Sequence, residues 1–230
     1  MMFRRLLAVA LVLALVLIIG VKGEPIRVLT PFGTPMKDAL VEVTKLDGTT
    51  IRGYLDSEGA IRVREVPLGI VRLRIISWKG FTVNFSVTVT IHNTTVTCGK
   101  IGKLIIQVIS QTGQPVPYAT IIIKNSEAEV HGLSDQGGVF MIELPEGDYE
   151  VRVIYASKEA KVGVHVMRAK EAAVKVVLPF FLIVGGVPLD LWLLVGIIVV
   201  AAVIVLVIGI LLYELRHYIY MRKLKIIPSK

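Results

Sequence analysis

Between Leu191 and Tyr213 the chain reads LWLLVGIIVVAAVIVLVIGILLY, a run with no charged and no amide side chain. At about 1.5 Å of helical rise per residue it can cross the roughly 30 Å hydrocarbon core of a bilayer in one pass. A helix on the surface of a soluble domain would show a polar face, and this segment has none. The run therefore dictates a chain that meets lipid. Trp192 and Tyr213 stand at its two ends, where amphipathic rings prefer the headgroup level, and Pro188 just ahead suits a helix start.

The flanks set an orientation. Arg216, Arg222, Lys223 and Lys225 follow the run, and the positive-inside rule keeps that side in the cytoplasm. Trp192, Tyr213, Arg216, Arg222 and Lys223 are thus the expected membrane-interface anchors. The tail LRHYIYMRKLKIIPSK interleaves its basic residues with Tyr218, Ile219, Tyr220, Leu224 and Ile226, a pattern suited to an anionic headgroup surface. At the other end, Arg4 and Arg5 precede an uncharged run from Leu6 to Val21 that would rise only about 24 Å as a helix. That length, with Val21 and Gly23 at the third and first positions before a cut, reads as a signal peptide cleaved after Gly23. Lys22 is unusual so near a cut, which leaves an uncleaved N-terminal anchor as the alternative. Both ends place Glu24 to Val187 on the outer side of the membrane.

Composition agrees. Apolar residues make up 54% of the chain and mean hydropathy is +0.71, yet the excess sits in the two terminal blocks. Most of the formal charge of +8 also lies at the ends, so the middle is close to neutral, which argues against a nucleic-acid module. Cys98 is the only cysteine, excluding an intrachain disulfide or a thiolate metal cluster. Stability must come from packing, and Cys98 reads as a small buried or strand-end residue.

The middle alternates with period two. Phe81, Val83, Phe85, Val87, Val89 and Ile91 are interleaved with Thr82, Asn84, Ser86, Thr88, Thr90 and His92, giving one apolar and one polar face. Val71, Leu73 and Ile75 alternate likewise, as do Tyr149, Val151, Val153 and Tyr155, and turn residues recur about every ten positions. A repeat is superimposed on this pattern. Pro35 to Ala39 matches Pro115 to Ala119, LDSEGAI (Leu55 to Ile61) matches SDQGGVF (Ser134 to Phe140), and VPLGIVRLRI (Val66 to Ile75) matches LPEGDYEVRV (Leu144 to Val153). The spacing is close to constant, the sign of one duplicated unit of about 80 residues.

The second copy resembles the carboxypeptidase regulatory-like domain, a transthyretin-like or prealbumin-like sandwich akin to the Cna protein B-type repeat. The resemblance rests on TGQPVPYAT, SDQGGVF and LPEGDYEVRV and, with the first copy, covers roughly Pro25 to Pro179. The first copy departs from the pattern at Thr34, where a glycine usually precedes the spacer proline, and at Ile70-Val71, where an aromatic often follows Pro-x-Gly. The resemblance implies seven-stranded sandwiches serving as spacers, scaffolds or binding modules, and it brings no catalytic residues. Cna-type domains can also carry a Lys to Asn crosslink near a buried acid. Lys103 and Glu143 could fill two of those roles in the second copy, whose last strands offer no Asn or Asp partner; Lys45 or Lys37 with Asn84 is the counterpart in the first.

The expected fold is therefore all-β: two tandem Ig-like or prealbumin-like β-sandwiches plus a C-terminal transmembrane α-helix. The expected organisation is 1–23 signal peptide or N-terminal anchor, 24–98 first sandwich, 99–179 second sandwich, 180–190 juxtamembrane linker, 191–213 transmembrane helix and 214–230 basic cytoplasmic tail. The linker FFLIVGGVP, Phe180 to Pro188, is apolar and would either dip toward the headgroups or pack on the last sandwich. Asn84-Phe85-Ser86 and Asn93-Thr94-Thr95 are glycosylation sequons in an exported region. His92, His131, His165 and His217 are scattered without metal-ligand spacing, and nothing marks a nucleophile with its base, so no catalytic, cofactor or metal residues are assigned. The reading is a non-catalytic structural, adhesion or protein-interaction module, with the bilayer and a protein at the surface or in the membrane as partners. An accessory subunit of a transport or secretion complex is one alternative, and a carbohydrate- or peptide-binding module assisting a surface enzyme is another. High Val and Ile content with few Asn and Gln fits a thermophilic, archaeal source.

Overall fold

The computed structural model describes residues 25–63, 69–90 and 94–224. The N-terminal segment 1–23 with Glu24, residues 64–68 of the first Pro-x-Gly turn, Ile91, His92, Asn93 and residues 225–230 of the basic tail lie outside the described residues.

The first sandwich comprises β1 (Ile26–Leu29), β2 (Leu40–Lys45), β3 (Thr50–Tyr54), β4 (Ala60–Ile61), β5 (Ile70–Trp78), β6 (Phe81–Thr90) and β7 (Thr95–Thr97). These strands form two sheets, ordered β4-β1-β7 and β3-β2-β5-β6. The second repeats the arrangement with β8 (Ile101–Ile109), β9 (Thr120–Lys124), β10 (Glu129–Leu133), β11 (Val139–Pro145), β12 (Gly147–Tyr155), β13 (Lys158–Val166) and β14 (Glu171–Val177). Its sheets run β11-β8-β14 and β10-β9-β12-β13. In both, the last strand returns parallel to the first: β7 beside β1 and β14 beside β8.

Period-two patterning places each core between its sheets. Val28, Val41, Val43, Leu73 and Ile75 point inward in the first sandwich, and Leu104, Ile106, Ile121, Val151 and Val153 in the second. Cys98 sits fully buried just past β7, its amide donating to Leu29 O, and burial pushes its thiol up to about 11. It is a packing residue.

The repeated motifs are turns with the same mechanics. Asp56 Oδ1 accepts from the amides of Glu58 and Ala60, and Asp135 Oδ1 from that of Val139. Gly59 and Gly138 follow with φ of 69° and 72°, and a Cβ on either would lie 2.6 Å from a carbonyl oxygen, that of Val28 or Val108. Only glycine fits there. Before β2 and β9, the buried Thr30 and Ser110 hydroxyls accept from the amides of Thr34 and Gln114. Gly33 and Gly113 sit in these turns with φ of 82° and 83°. The departure noted at Thr34 is thus one of position: the glycine this turn needs is present, at residue 33.

The sandwiches meet through a short joint. Phe81 opens β6 of the first, yet its ring lies in the second core, edge-on to Tyr149 with centroids 5.3 Å apart. Around it, the Thr82 amide donates to Glu127, Lys79 Nζ to Glu143 O and Thr34 Oγ1 to Glu143 Oε1.

After β14 the chain does not run free. Phe180 is buried in the second core beside Tyr155, and β15 (Leu182–Val184) and β16 (Val187–Leu189) form a hairpin turned by Gly185 and Gly186. Gln114 exchanges hydrogen bonds with the backbone of Ile183, and Tyr155 OH donates to Gly186 O. The apolar segment therefore packs against the last sandwich. Helix α1 (Leu191–Leu224) starts at Asp190, whose carbonyl accepts from Leu194 N and whose carboxylate pairs with Lys158 at 2.8 Å.

Candidate functional site

Helix α1 is the most distinctive surface. Within Leu191–Tyr220 an 18-residue window reaches a mean hydropathy of 3.4, and none of that window is buried against protein. Its 34 residues extend about 50 Å, well beyond a bilayer core, because the helix continues past Tyr213 to Leu224. Glu214 and Arg216 follow on the same helix, so the change from apolar to charged occurs within one rigid element. Trp192 is 83% exposed in its first turn and Tyr213 is also exposed, at the opposite end of the uncharged run. The Arg216 side chain is exposed; those of Arg222 and Lys223 lie outside the described residues.

Of the two sequons, Asn93 lies outside the described residues. Asn84 is exposed on β6 with a φ of 47°, and its Oδ1 accepts from Arg74 Nη2 at 3.1 Å. Its amide nitrogen is on the outer face of the sheet.

Of the residues considered for a crosslink, Lys103 and Glu143 stand opposite each other on β8 and β11, whereas Lys37 and Asn84 have other partners. Lys103 pairs with Glu171 at 2.9 Å and lies 5.8 Å from the centre of the Phe32 ring. Lys37 pairs with Asp38, and Asn84 faces Arg74. Glu143 belongs to the joint, where Thr34, Lys79, Lys103, Met141 and Ile142 line with it an open pocket of about 220 Å³. One Glu143 oxygen is taken by Thr34, while Oε2 is buried without a hydrogen-bond partner among the described residues. Burial holds the Lys79 ammonium below its ordinary value, against the opposing pull of Glu143.

His131 pairs with Glu129 and His165 with Asp148, both on exposed strand positions. No group of three or more His, Cys, Asp or Glu side chains that could hold a metal is found among the described residues.

Sequence reasoning missed the outer faces of the four-stranded sheets. On β12 and β13 Arg152 pairs with Glu159, and Lys161 also reaches Glu159, while Lys124 on β9 meets Glu150. On the first sandwich Arg52 binds Glu42 at 2.6 Å, Arg74 meets only the Asn84 amide, and Arg72 has no polar partner among the described residues. The available signal was the alternation of β5, which puts Arg72 and Arg74 on one face.

Residues 104–179 match the family model of the Carboxypeptidase regulatory-like domain. No curated protein matches the chain. Among solved structures, the Bacillus anthracis TIE protein is 20% identical over 66% of this chain and 33% of its own, with a TM-score of 0.30. The chain thus spans about a third of that protein's length. The minor pilin of Streptococcus agalactiae is 16% identical over 68% of this chain and 88% of its own, with a TM-score of 0.32. The shaft pilin of Lactobacillus rhamnosus GG is 9% identical over 70% of this chain and 100% of its own, with a TM-score of 0.33. The second sandwich is similar to the carboxypeptidase regulatory-like domain in its turn residues and by the family match, and the first repeats its strand order ahead of it.

Proposed function

We propose that the chain is an exported, membrane-anchored protein whose two tandem sandwiches act outside the membrane as a non-catalytic structural and protein-interaction unit. One observation carries this reading: a helix apolar on every side, with no protein against its span among the described residues, is joined through Asp190 and a packed hairpin to the second sandwich. Such a surface is stable only in lipid or against other apolar helices. Trp192 marks the outer headgroup level; Tyr213, Arg216, Arg222 and Lys223 mark the inner one. The boundaries that go with this reading are sandwiches at 24–98 and 99–179 and a span at 191–213. Asn84 and Asn93 are its candidate glycan acceptors.

The anchoring hairpin gives the unit a mechanical character. Pairing of Lys158 with Asp190, and of Gln114 with Ile183, fixes the last sandwich to the start of the helix, so motion of the sandwich is carried to the membrane surface. The test is carbonate washing of membranes followed by protease treatment of sealed cells. The full-length protein stays in the pellet, and external protease removes the sandwiches while sparing the basic tail. Release by carbonate, or digestion of the tail alone, overturns the proposal.

A further inference from the structure

The outer face of the first sandwich has more positive charge than it can pair. Arg72 and Arg74 occupy alternate outward positions of β5, about 7 Å apart along the strand. Glu42 is their sole carboxylate neighbour across the sheet, opposite Arg74 in register, and its carboxylate is taken by Arg52 on β3. Two guanidiniums therefore face solvent without a carboxylate among the described residues.

Their other cross-strand neighbours are polar and uncharged. Ser86 lies opposite Arg74 and Thr88 opposite Arg72 on β6, with Thr44 opposite Arg72 on β2. At the far edge Tyr54, 70% exposed, presents a ring on the same face. The second sandwich uses the matching positions differently: Arg152, the counterpart of Arg74 in the duplication, has Glu159, and Lys124 has Glu150. The duplicated scaffold keeps such a face neutral in one copy and leaves it cationic in the other.

We propose that this face binds an anionic polysaccharide, a sugar polymer bearing carboxylate or sulfate groups, and that it supplies the partner-binding part of the surface unit proposed above, on which it rests. Guanidinium forks match carboxylate and sulfate oxygens and are weakly hydrated, so they give up water at modest cost. The Ser and Thr row offers donors and acceptors to ring hydroxyls, and Tyr54 an apolar plate for a sugar face. An extended polymer suits a flat sheet. Nucleic acid is disfavoured because its binders neutralise many phosphates at once, and this face has two uncompensated charges in a nearly neutral unit.

The test uses full-length protein in detergent, made in a host without N-glycosylation, with polygalacturonate, dextran sulfate, neutral dextran and duplex DNA as immobilised probes. Polygalacturonate or dextran sulfate binds in a salt-sensitive manner, while neutral dextran and DNA bind at least about tenfold more weakly. Arg72→Gln with Arg74→Gln lowers that binding about tenfold, and Glu42→Gln, which removes the one carboxylate, strengthens it. Lys124→Gln on the second sandwich leaves it unchanged. Absence of binding to both anionic polymers, equal binding to DNA, or indifference to both the double arginine variant and Glu42→Gln overturns the proposal. Carbonate washing of the same variants separates the two ideas: protein that stays in the membrane but binds no polymer fails this inference alone.

Discussion

The two sandwiches share strand order, sheet composition and turn chemistry, yet differ in how they solve the same local problems. In the second, the buried Ser134 hydroxyl donates to Val116 O and accepts from Ala119 N, tying the turn before β9 to the strand end at β10. In the first, the matching position is Leu55, also buried, and the Ala39 amide turns instead to Met36 O at 3.3 Å. The backbone pairing around both is the same: Asp38 N to Leu55 O and Leu55 N to Ala39 O, against Tyr118 N to Ser134 O and Ser134 N to Ala119 O. Duplicated folds thus hold their backbone hydrogen bonds fixed and let a buried position be either a polar clasp or an apolar plug. The outer faces show the same freedom with charge, since the sheets tolerate ion pairs in one copy and solvent-facing arginines in the other.

The largest expected effect is at the joint. Phe81 belongs to the first sandwich by strand and to the second by core, so Phe81→Ala removes a fully buried ring from a cluster that its own module does not own. A loss of about 3–5 kcal/mol is expected. Calorimetry of the full chain in detergent should show the transition of the second sandwich falling further than that of the first. A larger fall in the first would mean that Phe81 packs with its own module.

Gly59→Ala and Gly138→Ala come next and should match each other. Each adds a Cβ 2.6 Å from a carbonyl oxygen and 2.9 Å from an amide nitrogen, of Met36 or Val116, at a left-handed backbone position. About 3 kcal/mol each is expected, and denaturant titration should find the two costs within error of each other. Unequal costs would show that the turns differ in how far they can relax.

Ser134→Ala tests the clasp itself. It leaves the Val116 carbonyl and Ala119 amide without their buried partner, at a cost of about 1–3 kcal/mol. Leu55→Ser in the other copy trades an apolar plug for a hydroxyl and should also destabilise, through lost apolar burial. If Leu55→Ser proves neutral, the first copy already has acceptor and donor positions waiting for the hydroxyl, and plug and clasp are interchangeable.

The fold was legible where a residue's role is local. Alternation in β5, β6 and β12 set their inward faces, Asp56 and Asp135 announced their turns, and the uncharged run announced the helix. What could not be read depends on distant parts of the chain meeting. Phe81 looks like any inward strand residue until the second sandwich is placed against it. Phe180 and Tyr155, like Gln114 and Ile183, are far apart in sequence, so the hairpin that fastens the linker follows from tertiary packing. Helix α1 outruns Tyr213 because Glu214 and Arg216 are good helix formers that need not leave the helix to reach water. The uncompensated arginines escaped notice because pairing across strands requires the register, and the chain-wide count of charges hides it.

The smallest expected effect is acid sensitivity, and it sharpens the contrast between Arg152 with Glu159 and Arg74 with Asn84. Hydrogen bonding to Arg152 holds the Glu159 carboxyl below its ordinary value of 4.5, and the Arg168 guanidinium does the same for Glu146. A depressed folded value means that the unfolded chain binds protons first. The stabilisation is therefore complete above the ordinary carboxylate range and fades as pH falls through the folded values. In the first sandwich the Arg74 partner is an amide, which does not titrate, and Asp47, held low by the Thr49 amide, is the one lowered carboxyl among its described residues. Both pairs in the second sandwich reach solvent, so the effect is small. Thermal scans between neutrality and about pH 3 should lower the second transition more than the first, and Glu159→Gln with Glu146→Gln should remove the difference. Equal acid shifts in the two transitions, or a difference that survives both substitutions, would place the sensitivity elsewhere in the fold.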